Sequence, residues 1–341
     1  MIQSLRNIFS SGKPRTMRLV PYRSYGTGSH LYLLGRALYN EKLKMLKDQS
    51  FFHTIKNTYK QFESDEIPHI RVALKIPDGP VLEAKTGEEG YFLFSKITTF
   101  NLKALADKEG WARFEVSFLE QTQGSKILAD NRFEAELLIP RATSTFGIIS
   151  DIDDTIMHTG VNSFLKWRVA HNSLFKNAHK RVFLKGAPEF YRLLHRGKSG
   201  KEQNPVFYLS NSPWNLYQYL RIFLDINDFP KGPILLRDFS SPFGRKPEKP
   251  HKQKEMINLL NTYPHLNFIL IGDSGEHDPR IYTDIALKYP DRILAIYLRS
   301  VKHKRRMRKV REMVENFTKV PVLSVETSAE AEIHAREHGF I

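Results

Sequence analysis

Carboxylates crowd the stretch TFGIISDIDDTI, residues 145–156, where Asp151, Asp153 and Asp154 follow an apolar run. Like charges so close repel one another. The segment is therefore a solvated acidic turn, a cation site, or a nucleophile beside its proton donor. Other polar clusters stand in comparable places. Ser210, Asn211 and Ser212 follow VFYL, and Gly272 to Asp278 follow FILI. Lys252 lies at the start of HKQKEMINLLNTYP, a helical stretch that leads towards FILI. Together, Asp151 and Asp273 at adjacent strand ends would form an oxygen-rich pocket that suits a hard cation such as Mg²⁺. Lys252 would add positive charge opposite a phosphate, Ser210 a hydroxyl donor, and the DIDDT backbone further N–H groups. Asp151 could then attack phosphorus and form an aspartyl-phosphate. Asp153, two residues on, faces the same way in an extended chain. It could act as acid for the leaving group and as base for water.

Such a set needs a frame that brings distant segments together. Beyond Pro140 and RATSTFG, apolar strands alternate with helical stretches: FGIIS, VFYLS, ILLRDF, FILIGDS and ILAIYL. Continuous apolar strands separated by helices predict a parallel sheet buried on both faces. Ligands of such sheets sit at the carboxyl ends of the strands, where the strand order switches. The C-terminal stretch VPVLSVETSAEAEIHAREHGFI adds a strand and a last helix, with Thr327 and Glu330 as a capping box.

Upstream the grammar differs. HLYLLGRALY, residues 30–39, reads as a strand, and residues 41–62 as a basic helical insertion. HIRVALKIP, VLEAKTG, GYFLFSKI, ARFEVSFLE and RFEAELLIP then alternate with period two between turn residues, predicting an antiparallel β-sandwich. EAKTGEEGYFLF resembles the tight hairpin of transthyretin-like modules. The reading divides the chain into an N-terminal tail over 1–25, a β-sandwich-like domain with a helical insertion over 26–142, and an α/β domain over 143–341.

Composition narrows the partners. The 341 residues carry a net charge of +15 and no cysteine. Disulfides and thiol chemistry are excluded, and a reducing compartment fits. The charge favours acidic partners. Seven of ten residues in KHKRRMRKVR, 302–311, are Lys or Arg, which suits a solvated helix face or an anionic membrane or polyanion. Ile2, Leu5 and Phe9 share a helical face that could lie on a bilayer. No apolar run reaches the roughly 18 residues of a membrane span. A phospholipid or membrane surface is the expected partner, ahead of nucleic acid, and the expected location is cytoplasmic and peripheral to a membrane.

The four clusters in order resemble the motifs of the haloacid dehalogenase superfamily. DIDDT gives Asp151 to Thr155, VFYLS ends at Ser210, Lys252 follows, and GDSGEHD gives Gly272 to Asp278. The resemblance implies a Rossmann-like domain with a central parallel sheet and a small cap formed by the segment after DIDDT. It implies Asp151 as nucleophile and Asp153 as acid/base and metal ligand through its carbonyl. Asp273 would hold Mg²⁺, and Asp278 would orient Lys252 or metal-bound water. SDIDDTI with TGV, YLSNSPWNLY, HK before a helix ending YP, and IGDSGEHDPRIY is similar to the actin-patch-protein phosphatidate phosphatase family over roughly residues 145–300. That narrower resemblance implies Mg²⁺-dependent conversion of phosphatidate to diacylglycerol and phosphate.

The expected site is therefore Asp151, Asp153, Ser210 and Lys252 for chemistry, Asp151, Asp153 and Asp273 for metal, and Asn211, Ser212 and Asp278 for phosphate or substrate. Lys252 is preferred over Lys246, Lys249 and Lys254. Ser212 either faces substrate or caps the helix after Pro213, with the cap favoured. Trp214 either packs on the following helix, the preferred reading, or lines an acyl pocket. Two other functions compete: the same chemistry on a nucleic-acid end, phosphoprotein or metabolite, and a non-enzymatic membrane adaptor. A glycosyltransferase-type DxD is disfavoured by the second acidic loop.

Overall fold

Fifteen strands and five α-helices make up a mixed α/β structure among the residues described by the computed structural model. These residues are 15–40, 65–153, 155–156, 186–237, 250–274, 278–300, 308, 310, 312–313, 315 and 317–341. The helical insertion, the amphipathic start, residues 157–185 of the cap segment, Asp154, His277 and most of the basic run lie outside them.

Period-two runs build the first sheet. Its strands are β1 (Arg15–Pro21), β2 (Ser24–Gly26), β3 (His30–Asn40), β4 (Arg71–Lys75), β5 (Val81–Lys85), β6 (Tyr91–Ile97), β7 (Trp111–Phe118), β8 (Ser125–Ile127) and β9 (Phe133–Leu138). They form one hydrogen-bonded network in the order β5-β4-β7-β9-β2-β3-β1-β8, with β6 also on β3. Most joins are antiparallel, as the alternation predicts, but β1–β8 and β2–β9 are parallel. Residues 15–21 and 24–26, most of them read as tail from sequence, are thus strands. Met17 and Leu19 point into the core of this sheet, while Arg18 between them and the exposed Arg15 at the strand's start mask the pattern.

Strand β3 has two apolar faces. Leu31 and Leu33 join Phe92 and Phe94 in the core of the first sheet. Leu34 and Tyr32 turn the other way, against the core of the second sheet. The two sheets are therefore packed together. Tyr22 stacks on Trp214 with ring centroids 4.6 Å apart. Arg23 donates to Asp225 at 2.8 Å and lies 3.5 Å from Glu136, which also pairs with Lys231.

The second sheet holds β10 (Phe146–Asp151), β11 (Val206–Pro213), β12 (Ile234–Arg237), β13 (Asn267–Asp273), β14 (Ile293–Arg299) and β15 (Val322–Val325). Their order is β12-β11-β10-β13-β14-β15, and every join is parallel. The continuous apolar strands have the predicted cause. Ile148 and Ile269 face one core while Ile149 and Leu270 face the other. Helices α1 (Ala187–Arg196), α2 (Tyr217–Ile226) and α5 (Ser328–Glu337) cover the first side, and α3 (His251–Thr262) and α4 (Asp278–Lys288) the second. Thr327 caps α5 by accepting from the Glu330 N–H at 3.4 Å. The Glu330 carboxylate reaches back to the Glu326 N–H, one residue short of the expected partner.

Candidate active site

The chain leaves β10 in one direction to reach β11 and returns on the other side of β10 as β13. The strand order thus switches at β10, and its carboxyl end is where the topology opens a site. Asp151 is the last residue of β10 and Asp273 the last of β13, both fully buried. Ser210 lies beside them on β11, where Leu209 pairs with Asp151. The register of β11 against β12 shifts between Ser210 and Pro213. That irregularity lets Ser210, Asn211 and Ser212 bend around the end of β10.

Lys252 enters from the first turn of α3, its side chain buried and its stem lying against apolar walls. Its ammonium lies 2.6 Å from Asp151 Oδ1 and donates to Asp278 Oδ1 at 2.6 Å. The contact to Asp151 is an ion pair outside hydrogen-bond alignment, so Oδ1 accepts no hydrogen bond. Thr155 donates to the other oxygen, Oδ2, at 3.1 Å, so this threonine orders the turn. Asp278 starts α4 and is buried because Gly272 leaves room for it. A Cβ on Gly272 would stand 2.7 Å from Asp278 Oδ2 and 2.7 Å from the Tyr282 ring. Tyr282 donates to the Ile271 carbonyl at 3.0 Å and pins α4 to β13. Sequence reasoning missed this tyrosine, although it lies one helical turn after Asp278.

Asp153 is half-buried and accepts a short hydrogen bond from Ser210 Oγ and a longer one, 3.4 Å, from Ser212 Oγ. The Ser212 N–H in turn donates to Ser210 Oγ at 2.9 Å. Neither the short 3₁₀ turn after Pro213 nor α2 has a side-chain cap, so the preferred capping reading of Ser212 gives way to a place beside Asp153. Asn211 is exposed at the mouth. Trp214 is buried and packs on Tyr22 as well as Tyr217 of α2. Arg280 is exposed and lies 4.0 Å from Asp284.

Electrostatics single out Asp151. Burial pushes its carboxyl well above the ordinary range, Lys252 opposes that, and Asp278, Asp153 and Asp273 push it further up. Four carboxylates therefore face one lysine at this strand end. Among the described residues no group of three or more His, Cys, Asp or Glu side chains converges as a metal cluster. The donor set still fits one hard cation of the Mg²⁺ kind, which takes one or two carboxylates and leaves its other positions to water and phosphate. Asp151 and Asp273 are such a pair, and a cation between them would offset the repulsion that raises Asp151.

Residues 146–300 match the family described as phosphatidate phosphatase APP1, catalytic domain. Over this segment the chain is similar to the APP1 catalytic-domain family. It spans β10 to β14 and carries every residue of the buried cluster. The chain is 39% identical to phosphatidate phosphatase APP1 of Saccharomyces cerevisiae over 239 residues, covering 66% of this chain and 38% of that protein. It is 27% identical to the uncharacterized protein C29B5.04c of Schizosaccharomyces pombe, covering 75% of this chain and 38% of the relative. The chain thus spans well under half the length of these two curated relatives. A solved Bifidobacterium dentium beta-glucuronidase aligns with a TM-score of only 0.25 at 7% identity, over 92% of this chain and 61% of that one.

Proposed function

We propose that this chain is a Mg²⁺-dependent phosphatidate phosphatase, releasing phosphate and diacylglycerol through an aspartyl-phosphate on Asp151. The observation that carries the reading is the buried set of Asp151, Lys252 and Asp278 beside Asp153 and Ser210 in a segment that matches the APP1 catalytic-domain family. On this reading the second sheet is a haloacid dehalogenase-type Rossmann-like domain with a small cap, and the first a β-sandwich-like domain. The site would work in the cytoplasm at a membrane surface. No helix among the described residues is long and apolar enough to cross a membrane.

The steps follow from the positions of the chain's own groups. Thr155 holds Asp151 Oδ2, and Oδ1, which accepts no hydrogen bond and pairs with Lys252, attacks phosphorus. The Oδ1–P bond forms as the P–O bond to the alcohol breaks, and protonated Asp153 gives its proton to the departing oxygen. Water then attacks the phosphorus, Asp153 takes its proton, and the Asp151–P bond breaks to release phosphate. The Ser210 hydroxyl aims the Asp153 carboxyl during both transfers. Lys252, held by Asp278, offsets charge on Asp151 and on the phosphoryl oxygens. Asp151, Asp273 and the Asp153 carbonyl would hold Mg²⁺, which supplies further positive charge opposite the phosphate.

The test is a phosphate-release panel on phosphatidate in mixed micelles, soluble phosphomonoesters and 5′-phosphorylated DNA, with and without Mg²⁺. The expected result is preferred turnover of phosphatidate that needs Mg²⁺ and disappears in Asp151→Asn. Equal turnover of soluble esters or DNA ends would move the substrate away from lipid, and an active Asp151→Asn would remove the nucleophile.

A further inference from the structure

Trp214 also forms part of a second space. A cavity of about 280 Å³ opens between the first sheet and the start of α3. Tyr32 and Leu34 of β3, Leu93 of β6, Trp214, Leu235 and Leu236 supply its walls. A water takes about 30 Å³ of liquid, so the space equals roughly nine waters. Packing voids inside a domain are rarely larger than one. The other cavity near the strand ends, lined by Thr155 and Arg299, is about 30 Å³. Of these two spaces, the larger is of ligand size.

Three observations define what fits it. The first is position. His251 and Lys254 line it on either side of Lys252, and Trp214 lies just beyond Ser210 and Ser212. The cavity is thus continuous with the elements that hold the phosphate-handling groups. The second is the wall. Leu34 and Leu93 are turned away from the core of their own sheet, and Leu93 stays 43% exposed. The third is charge. Lys254 and Glu255 of α3 both line the space, and burial pushes the His251 imidazole down to about 4, so the polar groups gather on its α3 side. A space with apolar side chains on the sheet side and His251, Lys254 and Glu255 on the α3 side, next to the elements that hold the phosphate-handling groups, matches the upper part of an anionic lipid's chain.

We infer that this cavity receives the first methylenes of an acyl chain of the substrate, so that the N-terminal sheet forms one wall of the substrate site. The inference rests on the phospholipid reading above and assigns it a place. Each methylene buried there strengthens productive binding roughly fourfold until the space is filled.

The test uses the full chain with Mg²⁺. kcat/KM is measured on monomeric dibutyryl, dihexanoyl and dioctanoyl phosphatidate and on glycerol 3-phosphate. Binding of cis-parinaric acid, read by its fluorescence, gives a signal that does not need catalysis. In the wild type kcat/KM rises with chain length and parinarate binds saturably. Leu34→Trp fills the space, and Leu93→Glu charges its exposed rim should the first variant fold poorly. Either variant with a wild-type melting temperature lowers the dioctanoyl to glycerol 3-phosphate ratio at least tenfold and weakens parinarate binding. An unchanged ratio in both, or no parinarate binding by the wild type, overturns the cavity assignment while leaving phosphatidate turnover intact. Parinarate binding without any phosphatidate turnover keeps an acyl cavity and overturns phosphatidate as its substrate.

Discussion

The carboxyl end of the parallel sheet and the seam between the two sheets are both buried, yet they are built in opposite ways. At the strand end Asp151 and Asp278 share Lys252, Asp153 and Asp273 act on Asp151 as further negative charges, and burial raises Asp151. At the seam Tyr22, Trp214 and Tyr217 stack, and Arg23, Asp225, Glu136 and Lys231 pair along the edge. The first region concentrates unbalanced charge and gains little stability from it. The second supplies the apolar contact that offsets such a cost. A buried charged pocket of this kind is affordable because a neighbouring surface is so fully packed.

Substitutions can break this contrast from either side. The largest effect is expected for Asp151→Asn, which removes the proposed nucleophile. Phosphate release should fall at least ~10³-fold, while the melting temperature holds or rises because a disfavoured buried charge is gone. A fall in both would mean that Asp151 is structural. Next comes Lys252→Met, which leaves Asp151 and Asp278 buried without their cation. With divalent cations chelated, the loss should be about 3–5 kcal/mol in urea unfolding. A stability equal to wild type would show that the cluster carries no strain.

Tyr22→Ala attacks the seam. It removes the ring stacked on Trp214 and should cost about 3 kcal/mol, with a smaller effect on kcat than on stability. The mildest effect concerns pH. The His251 imidazole is held down to about 4 against an ordinary value of 6.5. A lowered folded value means that the proton binds the unfolded chain more readily. The stability linked to this group is therefore present above pH 6.5 and lost as pH falls towards 4, on the order of 2 kcal/mol. Urea midpoints compared at pH 7.5 and pH 5 in wild type and His251→Gln measure it, and parallel curves would remove His251 from the account.

Much of this contrast can be read from the chain itself, and the exceptions have physical causes. FGIIS and FILIGD are legible as buried parallel strands because both faces are apolar. Lys252, Asp278 and Thr155 end near Asp151 because each lies at an element boundary that the topology brings to one place. β1 and β2 are illegible because arginines interrupt β1 and because β2 has only three residues. The place of Ser212 depends on an irregularity in β11 that no local pattern announces. Trp214 and Tyr22 are nearly two hundred residues apart, so their stacking belongs to tertiary structure alone.

The two-faced strand β3 has a thermal consequence. Leu33 belongs to the core of one sheet and Leu34 to that of the other, so neighbouring residues tie both cores to a single backbone segment. Pulling β3 out to melt the first sheet strips apolar cover from the second. Two regions that look like separate domains on paper should then unfold in one calorimetric transition, with the van't Hoff and calorimetric enthalpies in agreement.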